Sequence, residues 1–271
     1  MTEATTGEDR LSELLVPFRS GRSRAAILCD LDGTLAPIVP DPERARVPEP
    51  IRELLGRLAS AYALVGCVTG RPALRARELT GLAELHYAGN HGLELLAPGE
   101  QVPRLAHELE GRAEEARRFV AALDPLALDA AGIAVEDKGP IQALHWRRAE
   151  DEGLARARAE EVASAAERAG LEPRFGRKVL ELRPRVDVDK GTAVRALLAG
   201  TPVGLALFAG DDATDLDAFR ALRELVAEGA LEAGLCIGIA SSEAPPELAE
   251  ASDAIVAGPA GFRGVLAKLA G

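Results

Sequence analysis

Ala25-Ala26-Ile27-Leu28-Cys29, running into Asp30-Leu31-Asp32-Gly33-Thr34, is the stretch that decides the fold. Five apolar residues without interruption suit a strand buried on both faces of a parallel sheet, where polar alternation is not required. The run then stops at two carboxylates and a glycine. Two carboxylates two apart on an extended backbone point the same way, so Asp30 and Asp32 can both face one substrate phosphate. One can attack phosphorus while the other moves a proton on and off the leaving oxygen. Gly33 allows a sharp turn, and Thr34 offers a hydroxyl. The plainer reading is an ordinary Asp-Gly turn.

Working outward, the spacing predicts a loose tail and a short helix over 9–18 before this strand, and a helix over 49–60 after it. A second apolar run, 63–68, ends in Thr69-Gly70-Arg71; a helix from about Pro72 and a short strand at 86–88 follow. After Asp189 the alternation resumes with a helix over 190–198, a strand over 203–209, and apolar runs at 235–240 and 254–256. Strand–helix repetition of this kind predicts an α/β fold with a doubly wound, Rossmann-like parallel sheet. The middle differs. It reads as a charged helix over 105–123, strands over 132–136 and 141–146, a helix over 151–169, and strands over 172–175 and 179–182 that turn at Gly176-Arg177. The expected division is a tail and short helix (1–23), a core (24–103 and 186–271) and an inserted smaller α/β cap (104–185).

Three more clusters stand where ligands bind open α/β sheets, beyond the carboxyl ends of strands. Thr69, Gly70 and Arg71 open a helix, a natural phosphate contact, although an N-cap threonine reads the same way. Lys190 offers a single ammonium to a transferring phosphoryl group. Gly210-Asp211-Asp212-Ala213-Thr214-Asp215 clusters hard oxygen ligands that suit Mg²⁺, or is simply an acidic helix start.

The order of these clusters resembles the haloacid-dehalogenase-like phosphatases. The resemblance implies Asp30 as nucleophile, Asp32 as general acid/base, and Thr69 and Lys190 as phosphate binders, with Thr34, Gly70 and Arg71 beside them. It implies Mg²⁺ on Asp30, the backbone carbonyl of Asp32, and Asp211. Further segments are similar to trehalose-6-phosphate phosphatases: Gly89-Asn90-His91-Gly92-Leu93-Glu94, Val135-Glu136-Asp137-Lys138-Gly139, His145-Trp146-Arg147, Val179-Leu180-Glu181-Leu182-Arg183-Pro184 and Ala218-Phe219-Arg220. That likeness implies hydrolysis of trehalose 6-phosphate through an aspartyl phosphate. It places Glu136, Lys138 and Glu181 of a lid-like cap on sugar hydroxyls, and Asn90 and His91 at the mouth of the core site. Taken singly, His145 reads as packing against the cap helices. Leu216 departs from the family, which usually has an acidic residue there, and Leu31 and Thr69 are milder departures. The alternatives are a phosphatase of sucrose phosphate or a glycosyl-phosphoglycerate, and an idle phosphosugar-binding domain. Association with a trehalose-phosphate synthase is the expected partnership beyond the small-molecule substrate.

Composition narrows the classes further. A net charge of -11 argues against nucleic acid as a partner, since phosphate backbones are held by clustered Lys and Arg. No apolar run approaches membrane-spanning length, and the first ten residues lack a signal-peptide core. Cys29, Cys67 and Cys236 are odd in number and far apart, which suits reduced thiols. A cytoplasmic location is the expectation.

Overall fold

The computed structural model describes residues 7–39, 44–241 and 244–271. The reading of the chain's start as a loose tail falls, for residues 1–6, outside the described residues. The helix expected over 9–18 is two, α1 (Gly7–Leu14) and α2 (Val16–Ser20). Pro17 accounts for the break, because it has no N–H to return and its ring collides with the preceding turn. β1 (Ala25–Cys29) is buried at every residue. α3 (Glu49–Ala59), β2 (Leu64–Val68), α4 (Ala73–Thr80) and β3 (His86–Gly89) follow within a residue or two of the alternation. β4 (Glu94–Leu96), which three residues are too short to announce, pairs antiparallel to β3, and β5 (Arg104–Leu105) ends that side of the sheet.

The chain divides into two compact units, Met1–Arg104 with Val188–Gly271, and Leu105–Asp187. In the second unit the long helix expected over 105–123 does not form. A short 3-10 turn (His107–Leu109) precedes α5 (Glu115–Ala121) and α6 (Pro125–Ala130). Gly111 breaks the run with φ +75°, a conformation a helix cannot hold. Next come β6 (Ala134–Asp137), β7 (Gln142–His145), α7 (Glu152–Arg168), β8 (Leu171–Gly176) and β9 (Val179–Pro184). The four strands form an antiparallel sheet in the order β6-β7-β9-β8. Gly176 pairs with Val179, so the turn is Arg177-Lys178 and not Gly176-Arg177; Lys178 takes the positive φ (57°) the two-residue loop needs. Leu144, Leu180 and Leu182 pack with Ala155, Ala159 and Val162 of α7. Strand alternation therefore turns Glu136, Ala143 and Glu181, which are register partners, to the opposite face.

The first unit resumes with α8 (Lys190–Ala199), β10 (Leu205–Gly210), α9 (Asp215–Ala227), β11 (Ala233–Ala240), α10 (Pro246–Ala251), β12 (Ala254–Ala257) and α11 (Gly258–Ala270). The sheet order is β12-β11-β10-β1-β2-β3-β4-β5, parallel from β12 to β3. From β1 the chain moves outward through β2 and β3, then returns to β1's other side at β10. That reversal opens a crevice beyond the carboxyl ends of β1 and β10. Both faces are covered, one by a core containing Leu15, Ile27, Leu55 and Phe262, the other by one containing Leu28, Val194, Phe208 and Phe219. The three cysteines are buried, free thiols. No helix among the described residues is long and apolar enough to cross a membrane.

Asp189 starts α8 with a capping box, its carboxylate accepting from Thr192 N at 2.8 Å while its own N–H donates to Thr192 Oγ1 at 2.8 Å. Asp189→Ala is expected to cost about 1 kcal/mol, read as a lower urea midpoint. An unchanged midpoint would mean that Thr192 caps the helix alone.

Candidate active site

Asp30 follows β1 and Asp211 follows β10, so the crevice at the strand reversal receives a carboxylate from each side. Asp30 N donates to Ala209 O at 2.9 Å, which ties the two strand ends together. Lys190, the first residue of α8, is 1% exposed and reaches into the same place. Its Nζ donates to Asp30 Oδ1 at 2.9 Å and to Asp215 Oδ1 at 2.7 Å, with Asp212 at 3.7 Å. Asp215, at the start of α9, is fully buried. Its Oδ2 accepts from the N–H groups of Asp211 (2.8 Å) and Asp212 (3.0 Å), which shapes the loop after β10. Thr34 Oγ1 donates to Asp211 Oδ1 at 3.1 Å, so its one proton is spent on that carboxylate. Gly33 has φ +89°, and a Cβ there would lie 2.0 Å from Asp211 Oδ2. Only glycine lets the loops meet.

Charge in this pocket does not balance. Burial pushes the Asp30 carboxyl well above its usual range; Lys190 opposes this, and Asp215, Asp212 and Asp211 add to it. Asp211 is pushed up to about 7, by burial and then by the Asp215 charge. Asp215 rises to about 6, again by burial, against the pull of Lys190. Burial would lower the Lys190 ammonium, but Asp215 and Asp30 outweigh it and raise it well above its usual value. Asp30, Asp211 and Asp215 each offer a carboxylate oxygen within 4.8 Å of the others. Three carboxylates around one ammonium, all oxygen donors, fit a divalent cation. The expected metal residues Asp30 and Asp211 are in this group. Asp215, the last residue of the 210–215 cluster that the sequence offers to a cation, joins them as a third candidate ligand.

The loop after β2 borders the pocket. Thr69 is buried, and its hydroxyl accepts from Arg71 N at 3.2 Å. Arg71 holds Asp32 in a two-point pair, Nε to Oδ2 at 2.6 Å and Nη2 to Oδ1 at 2.7 Å. Asp30 and Asp32 thus have different partners, Lys190 and Arg71. Asn90 and His91 take left-handed backbone angles, φ 50° and 57°, which cost energy for side-chain-bearing residues. Their N–H groups donate to Arg71 O (2.8 Å) and Thr69 O (2.9 Å), which fastens this turn to the Thr69-Gly70-Arg71 loop. A Cβ on Gly70 would lie 2.6 Å from His91 Nε2.

The second unit gathers its own polar group on the sheet face away from α7. Lys138 Nζ donates to Glu181 Oε1 at 2.9 Å, and Arg183 Nη2 donates to Glu181 Oε2 at 2.5 Å. Burial tends to raise the Glu181 carboxyl, but Lys138 and Arg183 hold it at about 2, a charged acceptor. Glu136 Oε2 lies 2.7 Å from His145 Nε2, and that bond is the main cause holding Glu136 below its usual value. His145 therefore faces the polar side with Glu136. The expectation that it packs on the helices fails, because β7 turns Leu144, not His145, toward α7.

The trehalose-phosphatase family model matches residues 28–248. Trehalose 6-phosphate phosphatase RA3 of Zea mays is 34% identical over 257 residues, covering 89% of this chain and 68% of that protein. Probable trehalose-phosphate phosphatase G of Arabidopsis thaliana is 31% identical, over 77% of this chain and 61% of its own length. The chain thus spans about two thirds or less of these relatives. The solved C-terminal domain of Candida albicans trehalose-6-phosphate phosphatase shares the fold, with a TM-score of 0.69 at 22% identity over 96% of each chain. By sequence and by fold, the chain belongs to the trehalose-phosphatase family.

Proposed function

We propose that this chain hydrolyses trehalose 6-phosphate to trehalose and phosphate, with Asp30 as the nucleophile. The observation that carries the chemistry is the buried contact of Asp30 with Lys190, at the strand reversal and beside Asp211 and Asp215. An oxygen of Asp30 attacks phosphorus and the bond to the sugar oxygen breaks, leaving an acyl phosphate. Asp32 gives a proton to the departing oxygen and then takes one from a water that attacks phosphorus, as the bond from phosphorus to the Asp30 oxygen breaks and frees phosphate and the Asp30 carboxylate. For this, Asp32 exchanges its two contacts with Arg71, whose guanidinium matches phosphate geometry equally well. Lys190 holds positive charge against the transferring group, and Thr69, Gly70 and Arg71 orient its other oxygens. Mg²⁺ suits the hard oxygen donors; Asp30, Asp211 and Asp215, with the backbone carbonyl of Asp32, would hold it, and bound there it would offset the negative charge of nucleophile and phosphate.

Sugar recognition is assigned to Glu136, Lys138 and Glu181, which combine charged acceptors with an ammonium donor on one sheet face. Asn90 and His91 are assigned to the edge of the phosphate site. Trehalose is preferred over the other sugars because the two plant relatives described above, which match 89% and 77% of this chain, are named for it. A cytoplasmic location and contact with a synthase fit a biosynthetic role and belong to the same proposal.

Asp30→Asn is expected to fold normally and to lose turnover by on the order of a thousandfold or more, as loss of a covalent nucleophile does. Near-normal phosphate release by the purified variant would refute the covalent route. Ala in place of Glu136, Lys138 or Glu181 leaves sugar hydroxyls unpaired at roughly 1–3 kcal/mol each. That is about tenfold to a hundredfold in kcat/KM for trehalose 6-phosphate. Para-nitrophenyl phosphate carries no sugar, so the ratio of the two activities should fall. A constant ratio would return these residues to a structural role. Release from sucrose phosphate or glucosyl-phosphoglycerate above that from trehalose 6-phosphate would move the substrate assignment, and release from none would leave a binding domain.

A further inference from the structure

Asp137 stands in the second unit immediately before Lys138, and the chemistry above gives it no task. Its carboxylate is nevertheless a hub. Oδ1 accepts from Gly139 N at 2.8 Å, Gln142 Nε2 at 2.7 Å and Arg117 Nη2 at 3.2 Å, while Oδ2 accepts from Arg117 Nε at 2.9 Å. Arg117 comes from α5 and is itself gripped by both oxygens of Glu114 at 2.6 Å. The Arg117 contact is the main cause holding the Asp137 carboxyl below its usual range. One side chain therefore ties together α5, the turn leaving β6 and the first residue of β7.

The turn needs such a tie. β6 is an edge strand, exposed at all four residues, so little packing holds its end. Gly139 sits at φ +82°, and Lys138 N donates to Ile141 O at 3.0 Å across the turn. Lys138 extends from this turn, and its ammonium reaches Glu181 with only 15% and 16% of the two side chains exposed. A lysine has four rotatable bonds, and ordering it afresh in each binding event would cost affinity.

We propose that Asp137, locked by Arg117, is a positioning residue for sugar recognition. It holds the 138–141 turn so that Lys138 and Glu181 stand as a preformed donor–acceptor pair before the sugar arrives. This rests on the assignment of Lys138 and Glu181 to the sugar. A half-exposed ion pair contributes little to stability, so the effect belongs in KM and not in the unfolding midpoint.

The test is a double-mutant cycle on the full chain, with steady-state kinetics on trehalose 6-phosphate and para-nitrophenyl phosphate. Asp137→Ala and Arg117→Ala should each raise KM for the sugar phosphate about three- to tenfold, the ordering cost of one long side chain, with kcat close to wild type. Asp137→Asn keeps an acceptor for Gly139 and Gln142 and should fall between. Because Asp137 acts through Lys138, the Asp137→Ala/Lys138→Ala double variant should be no worse than Lys138→Ala alone. If Lys138→Ala raises KM and Asp137→Ala does not, this inference fails and the sugar assignment stands. If neither raises KM, the sugar assignment fails and takes the inference with it. Additive losses in the double variant, or equal losses on both substrates, would make Asp137 a structural residue and overturn the positioning role.

Discussion

A buried ammonium facing more negative charge than it can neutralise is the constraint around which the first unit is arranged. Lys190 meets Asp30 and Asp215 directly, and Asp211 stands beside them. An isolated buried charge costs several kcal/mol, and even a paired one is tolerated only with close hydrogen bonds. The chain meets that demand with backbone. Asp215 draws in the amides after β10, the Asp189 capping box fixes the helix that starts at Lys190, and Gly33 lets one loop come against the other. The surplus of carboxylates remains, and its oxygen donors suit a divalent cation.

In the proposed function the second unit has a different task. A sugar presents many weak, similar hydroxyl groups, so recognition depends on charged partners already in place. Glu181 between Lys138 and Arg183, and Glu136 on His145, are charged acceptors whose geometry is set within the sheet. Phosphoryl chemistry and sugar recognition are thus assigned to groups that each unit orders internally.

Much of this was legible in the sequence, for identifiable reasons. β1 and β10 are continuous apolar runs that stop at carboxylates, and local pattern alone places Asp30 and Asp211 at strand ends. Lys190 was harder, since a lone lysine reads as solvated until the fold carries it 160 positions to Asp30. Asp215 lies in the oxygen-rich 210–215 cluster, but no local pattern separates a ligand there from an acid that a helix start already favours. The helix over 105–123 was over-read: its charges have helical spacing, but a single glycine in a left-handed turn outweighs them. His145 was misassigned because a one-residue uncertainty in strand register moves a side chain to the other face. Arg71 was read as a phosphate contact, and no sequence pattern showed that it would meet Asp32 across 39 residues.

Calorimetric titration of Mg²⁺ from about pH 5.5 to about pH 8 bears most directly on the charge imbalance. Without metal, raised carboxyls such as Asp211, at about 7, and Asp215, at about 6, favour the protonated fold. Their contribution to stability is present below the ordinary carboxylate value and is lost as pH rises through those values. A cation must displace the same protons. Mg²⁺ should therefore bind more tightly as pH rises through about 6 and about 7, releasing most protons per bound ion at about pH 5.5 and fewer as these carboxyls ionise without it. Affinity independent of pH with no proton release, or no binding at about pH 8, would contradict a pocket built around more carboxylates than its one ammonium can neutralise.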